Sequence, residues 1–193
     1  MHKIAIFASG TGSNARKIME YFQGSSDAQV SLLVCNKPDA PVLAIAESFG
    51  IDQALINRHG FYETNDLLDV LEKYGVDFIV LAGFLWLLPP YLVQEYSGRI
   101  VNIHPALLPK FGGKGMYGKH VHEAVVAAGE TESGITIHQV DERYDEGQIV
   151  FQARCPVSAD DTPADVARKV QQLEHRYYPE IIGQLLAGVK KGD

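Results

Sequence analysis

The sequence predicts an α/β protein: a doubly wound, mainly parallel sheet with helices on both faces, ending in an antiparallel hairpin and a long helix. Three observations carry that expectation. Apolar, β-rich runs alternate with segments of helical spacing through the first half of the chain. Residues 78–82 are apolar without interruption, as a strand covered on both faces must be. The second half then holds two alternating runs separated by a turn, followed by a long stretch of helical spacing.

Taken in order, residues 3–8 read as a strand and Ser9-Gly10-Thr11-Gly12-Ser13 as a turn. Residues 14–23 carry helical spacing through Ile18, Met19 and Phe22. Residues 30–35 form a second strand, then the turn Asn36-Lys37-Pro38-Asp39 and a helix through Phe49. Residues 61–74 read as one helix, with Leu67, Leu68 and Leu71 on one side. A short helix over 92–96, opened by Pro89-Pro90, separates the strands 78–82 and 100–103. Right-handed crossovers follow from the parallel order. A helix over 121–128 ends at Gly129; strands over 134–140 and 148–156 flank the turn Asp145-Glu146-Gly147. The last helix spans 162–186, capped by Asp161 or Thr162 with Pro163 in its first turn. Pro179 is expected to bend or break it.

The chain has 193 residues, 46% hydrophobic and 21% charged, enough for a full core and unlike a disordered, fibrous or disulfide-stapled protein. Its 17 basic and 24 acidic residues give −7, which disfavours non-specific nucleic-acid or anionic-membrane binding. Cys35 and Cys155 stand far apart in no pair spacing and read as free thiols of a reducing compartment. The N-terminal apolar run is too short for a signal peptide or a membrane span, so a cytoplasmic location is expected.

Several residues invite chemistry, each with an ordinary alternative. Gly10-Thr11-Gly12-Ser13-Asn14 runs from a strand into a helix, where exposed N–H groups and the helix dipole favour an anion. Ala15 sits where a dinucleotide fingerprint needs glycine, and no Gly-Lys-Ser/Thr follows. A tight turn without a ligand is the alternative. Asn102 and His104 lie two apart on a strand and project together at its C-terminal end, where open sheets bind ligands. An amide beside an imidazole can hold a carbonyl oxygen and move a proton. Asp145 in the turn Tyr144-Asp145-Glu146-Gly147 would keep the His104 ring charged to higher pH, or be a turn residue only. His138 faces either the cleft or solvent. His120, His122 and Glu123 suggest a metal, but the spacing lacks a recognised third ligand, so none is expected. Gln171 and Glu174 share a face of the last helix, functional or simply solvated. Residues 81–88 are core or the wall of a slot for a flat ring. The segment 111–119 has two lysines, Lys114 and Lys119, among four glycines, and reads as a cationic lid or a surface insertion.

Together these residues resemble the 10-formyltetrahydrofolate-dependent formyltransferases. The carrying motifs are Ser9-Gly10-x-Gly12-Ser13-Asn14, Leu81-Ala82-Gly83-Phe84, Asn102-Ile103-His104-Pro105-Ala106-Leu107-Leu108-Pro109, the Asp145 turn, and Gln171-x-x-Glu174-His175-x-x-Tyr178-Pro179. They span nearly the whole chain. The resemblance implies transfer of a formyl group from the folate N10 to the amine of glycinamide ribonucleotide in purine biosynthesis, without a metal or a nicotinamide. It implies catalysis by Asn102, His104 and Asp145. It assigns Gly12, Ser13, Asn14, Gln171 and Glu174 to the ribonucleotide. Phe84, Leu85, Trp86, Leu87, Leu88, Asn102, Val140 and Asp141 would hold the folate, largely by backbone. One domain over 1–193 is expected, with a nucleotide-binding half (1–100) and a catalytic and folate-binding half (101–193), as a monomer or weak homodimer.

Three departures stand out: Ala106 replaces an expected serine, Trp86 an arginine frequent in relatives, and 111–119 is longer and richer in glycine. Formyltransferases acting on methionyl-tRNA or nucleotide sugars normally carry an extra C-terminal domain, for which no room is expected here. A formyltetrahydrofolate hydrolase normally adds an N-terminal regulatory domain. A non-catalytic nucleotide-binding module of the same fold is the remaining alternative.

Overall fold

A computed structural model describes residues 1–143 and 145–188. Seven strands form one sheet in the order β3-β2-β1-β4-β5-β6-β7. β1 (His2–Ala8), β2 (Ala28–Cys35), β3 (Asp52–Leu55), β4 (Phe78–Leu81) and β5 (Ile100–His104) are parallel. β6 (Glu132–Gln139) and β7 (Ile149–Pro156) continue the sheet antiparallel, as the hairpin expected from the sequence.

The period-2 alternation of the strands divides the interior into two cores. Ile4, Ile6 and Ala8 of β1 pack with α1 (Ser13–Phe22), α2 (Val42–Ser48), Val125 of α6 (Lys119–Ala127) and α7 (Pro163–Gly188). Ala5 and Phe7 face the other way, onto α3 (Arg58–Tyr62), α4 (Asp66–Lys73) and α5 (Pro90–Glu95). Helices on both faces of a parallel sheet are the doubly wound arrangement. Tyr178 of α7 is fully buried, and its hydroxyl lies 2.8 Å from the Leu81 carbonyl and 3.2 Å from that of Val101. The terminal helix is thereby fastened to the centre of the sheet, beside the strand ends that open onto the site.

Two expectations need correction, and one strand was not expected at all. β3 has no apolar signal: as an edge strand of Asp-Gln-Ala-Leu it is largely exposed and is set by pairing with β2. The helix expected over 61–74 is two helices. α3 starts earlier, where the Asn57 side chain accepts from the Gly60 N–H (2.9 Å), and Thr64 ends it by donating to the Gly60 carbonyl (3.0 Å). Pro179 does not interrupt α7. It removes one N–H donor, but its neighbours Tyr178, Ile181 and Ile182 are all buried, and that packing offsets the missing bond. The other elements lie within two residues of their expected bounds.

Candidate active site

The C-terminal ends of β1, β4 and β5 open into a cavity of about 730 Å³. Its first wall is the turn after β1. Gly12 caps α1 at φ 78°, and a Cβ there would stand 2.6 Å from the Val42 side chain, so only glycine lets the turn lie against α2. The Val42 N–H donates to the Gly10 carbonyl (3.2 Å). Ser9 ties this turn to the loop after β4: its N–H donates to the Gly83 carbonyl (3.1 Å), and its Oγ accepts from the Leu85 N–H (3.0 Å).

Beside the turn, Glu174 of α7 lines the cavity and is hydrogen-bonded by the Asn14 side chain. Burial pushes the Glu174 carboxyl up to about 7, against the opposing effect of that bond. The carboxyl therefore keeps its proton to higher pH than an ordinary glutamate. Gln171, expected beside it, is exposed, does not line the cavity and reaches only the Ser13 hydroxyl at 3.5 Å.

The candidate catalytic cluster lies at the end of β5. His104 is 3% exposed; its Nε2–H donates to the Phe111 carbonyl (2.7 Å), and its Nδ1 stands 3.5 Å from Asp145 Oδ2. The same Asp145 oxygen accepts from the Gly113 N–H (2.9 Å), and the other lies 3.5 Å from His138 Nε2. Phe111 and Asp145 both hold φ 56°, a left-handed backbone that ordinary residues adopt at some cost. His138 is buried and faces the cleft, which resolves the alternative left open by its strand. Its Nδ1 lies 2.9 Å from the Gln139 carbonyl oxygen, and its Nε2 lies 3.1 Å from Asn102 Nδ2. Asn102 is thus held by its neighbour on β6, with its second amide hydrogen free for a ligand.

Asp145 pulls the His104 pKa upward, as expected, but the net direction is downward. Burial lowers it, and this outweighs the upward pull of Asp145 and of the Phe111 carbonyl. The ring rests neutral at neutral pH. Asp145 in turn is held below the ordinary carboxylate value by the two histidines and the Gly113 N–H, despite its burial. Tyr144 of the same turn lies outside the described residues.

A largely apolar wall is formed by residues 84–88 and Val140. Trp86 joins an aromatic group with Phe61 (ring centroids 5.5 Å apart) and Phe84 (6.2 Å), with the Arg58 guanidinium 5.5 Å above its ring. Asp141, expected to hold the folate, does not line the cavity; its carboxylate accepts from the Arg143 N–H (2.8 Å). The loop 113–118 closes the remaining side. Lys114 lines the cavity, whereas Lys119 lies in the first turn of α6, 3.6 Å from Glu123 and away from the cavity lining. The lid reading thus keeps one lysine of its two.

Sequence reasoning missed Lys37 and His122, which also line the cavity. The position of Lys37 just after a strand was a usable signal. That of His122 was masked by a His-x-His spacing that suggested metal. His120 is exposed against Glu123 (3.2 Å), and among the described residues no three His, Cys, Asp or Glu side chains are grouped to hold a metal. Cys35 and Cys155 are buried free thiols. No described helix is long and apolar enough to cross a membrane.

Comparison with known proteins places this geometry. Residues 2–182 match the formyl transferase family. The chloroplastic phosphoribosylglycinamide formyltransferase of Arabidopsis thaliana is 49% identical over 95% of this chain, which spans 65% of that protein's length. The phosphoribosylglycinamide formyltransferase of Bacillus subtilis is 37% identical over 100% of this chain and 99% of its own. The solved glycinamide ribonucleotide transformylase 1 of Symbiobacterium toebii superposes with a TM-score of 0.88, at 32% identity, covering 100% of this chain and 92% of that one. The match of the family over nearly the whole chain, and of the fold with it, means that this chain belongs to the formyl transferase family.

Proposed function

We propose that the chain transfers the formyl group of 10-formyltetrahydrofolate to the amine of glycinamide ribonucleotide, a step of de novo purine biosynthesis. The observation that carries this reading is the placement of Asn102, His104 and Asp145 between a glycine-turn wall and a largely apolar wall of one cavity. The first suits a phosphate, through N–H groups at a helix N-terminus. The second suits a flat ring.

In this reading the neutral amine attacks the formyl carbon, and the carbonyl becomes an oxyanion. The free N–H of Asn102 faces that charge, an interaction whose loss typically costs 10²–10³ in rate. A carbon–nitrogen bond forms to the amine and the bond to N10 breaks. The amine loses one proton and N10 gains one. Because His104 rests neutral, it can take up the amine's proton and return it to N10. Asp145 steadies the imidazolium while it lasts. Gly12, Ser13, Asn14 and Glu174 would hold the ribonucleotide, and residues 84–88 with Val140 the folate.

The two halves of the chain, 1–100 and 101–193, would contribute mainly nucleotide binding and mainly catalysis, although Glu174 and the 84–88 wall cross that division. A monomer or weak homodimer acting without nucleic acid fits the net charge of −7, and the buried free thiols support a reducing, cytoplasmic compartment.

The test is deformylation of the folate with and without the ribonucleotide. Folate product should appear only when the amine is present. Release without the amine would mean a hydrolase, and no release in either case a binding module.

A further inference from the structure

We infer that His122 is a further substrate-binding residue, its Nε2–H donating a hydrogen bond to an oxygen of the ribonucleotide. The inference rests on the function proposed above and adds a group to its acceptor side. His122 is 7% exposed and lines the cavity. Its Nδ1 is sealed from solvent without a hydrogen-bond partner. Its Nε2 makes no hydrogen bond with a described residue and is not among the sealed atoms. A buried polar ring that no protein group satisfies is uncommon, because desolvation without a partner is costly. A residue kept only to fill space would be better served by phenylalanine or leucine.

Position selects the partner. His122 belongs to α6, which packs through Val125 into the same core as α1 and α7, the helices that bring Asn14 and Glu174 to the cavity. The Phe84 and Trp86 wall packs on the opposite core. His122 therefore faces the ribonucleotide side, close enough to His104 for that ring to help depress its pKa. Burial depresses it further, so the ring is neutral and carries one N–H. An orphaned lone pair is tolerated better than an orphaned N–H. The hydrogen is accordingly assigned to Nε2, where the cavity can supply an acceptor such as the amide carbonyl or the phosphate.

Two substitutions test this in the full chain: His122→Phe keeps a ring and removes the donor, and His122→Gln places an amide donor near Nε2. Calorimetric titration with glycinamide ribonucleotide alone should show about tenfold weaker binding for H122F. KM for the ribonucleotide should rise similarly while KM for 10-formyltetrahydrofolate stays within about twofold. H122Q should recover most of the loss, and it carries the test if H122F melts well below the wild type. Ribonucleotide affinity unchanged in both variants would overturn the role of His122, as would equal losses for both substrates. No ribonucleotide binding by the wild type would instead overturn the functional reading itself.

Discussion

The two sides of the cavity are held in place by different means. The turn around Gly12 is fixed by backbone: Val42 N–H to the Gly10 carbonyl, Arg16 N–H to the Gly12 carbonyl (2.8 Å), and Ser9 to the loop after β4. None of these bonds uses the Ser13 or Asn14 side chain. The loop 111–118 is held largely by the proposed catalytic residues, since His104 binds the Phe111 carbonyl and Asp145 binds the Gly113 N–H. One side is thus a fixed cradle, and the other is tied to the side chains proposed to do the chemistry. The difference teaches that substrate positioning and proton transfer can be perturbed separately.

The largest effect should fall on the second side. His104→Ala should lower kcat by about 10²–10⁴, the scale of a lost acid–base group, and an unchanged kcat would remove the ring from the mechanism. Next comes Asp145→Asn. Asp145 pulls the His104 pKa upward against burial, so its neutralisation should lower that pKa further. The limb of the kcat/KM profile set by His104 should then move to lower pH. A fall in activity with a stationary limb would leave Asp145 a purely positional role, exerted through Gly113.

Perturbing the fixed side should change binding more than chemistry. Gly12→Ala forces a Cβ against Val42 at positive φ and should cost about 1–3 kcal/mol of stability. KM for the ribonucleotide should rise with kcat little changed, which steady-state kinetics and thermal melting check together. A smaller contrast separates two lysines. Lys114→Ala should raise the ribonucleotide KM a few-fold at low salt and less at high salt, whereas Lys119→Ala should leave it unchanged. Equal effects would restore the two-lysine lid.

The smallest effect is thermodynamic. Glu174 has its carboxyl raised from 4.5 to about 7 in the fold. The folded state therefore holds the proton more tightly than the unfolded chain, so this group favours folding at low pH and that contribution is lost as pH rises from 4.5 through 7. Glu174→Gln keeps an acceptor for Asn14 without the charge. It should flatten that decline, raising Tm by about 2–4 °C at pH 8 and by little at pH 5. A gain as large at pH 5 would show that the carboxyl is not desolvated.

Local pattern made the strand–helix alternation legible, because buried parallel strands and amphipathic helices write their periods into the sequence. It failed at β3, whose exposed Asp52 and Gln53 become a strand only through β2, and at Thr64, where a side-chain hydrogen bond ends a helix whose leucine spacing runs on. In the site, Asn102 and His104 were legible because two residues apart on one strand must share a side. The approach of His138 and Asp145 to them was not, since it depends on the antiparallel register of β5 with β6 and on a loop from the hairpin. The net direction of the His104 pKa was not legible for the same reason. A sequence displays a nearby charge but hides the burial that outweighs it.

Whether the two sides of the cavity serve one transfer is tested most directly by following the formyl carbon itself. Wild-type enzyme with 10-formyltetrahydrofolate labelled with carbon-13 in the formyl group, and glycinamide ribonucleotide in excess, should show the label leaving N10 and appearing on the ribonucleotide amine, one for one, in the NMR spectrum. Label recovered as free formate, or remaining on the folate, would contradict the account.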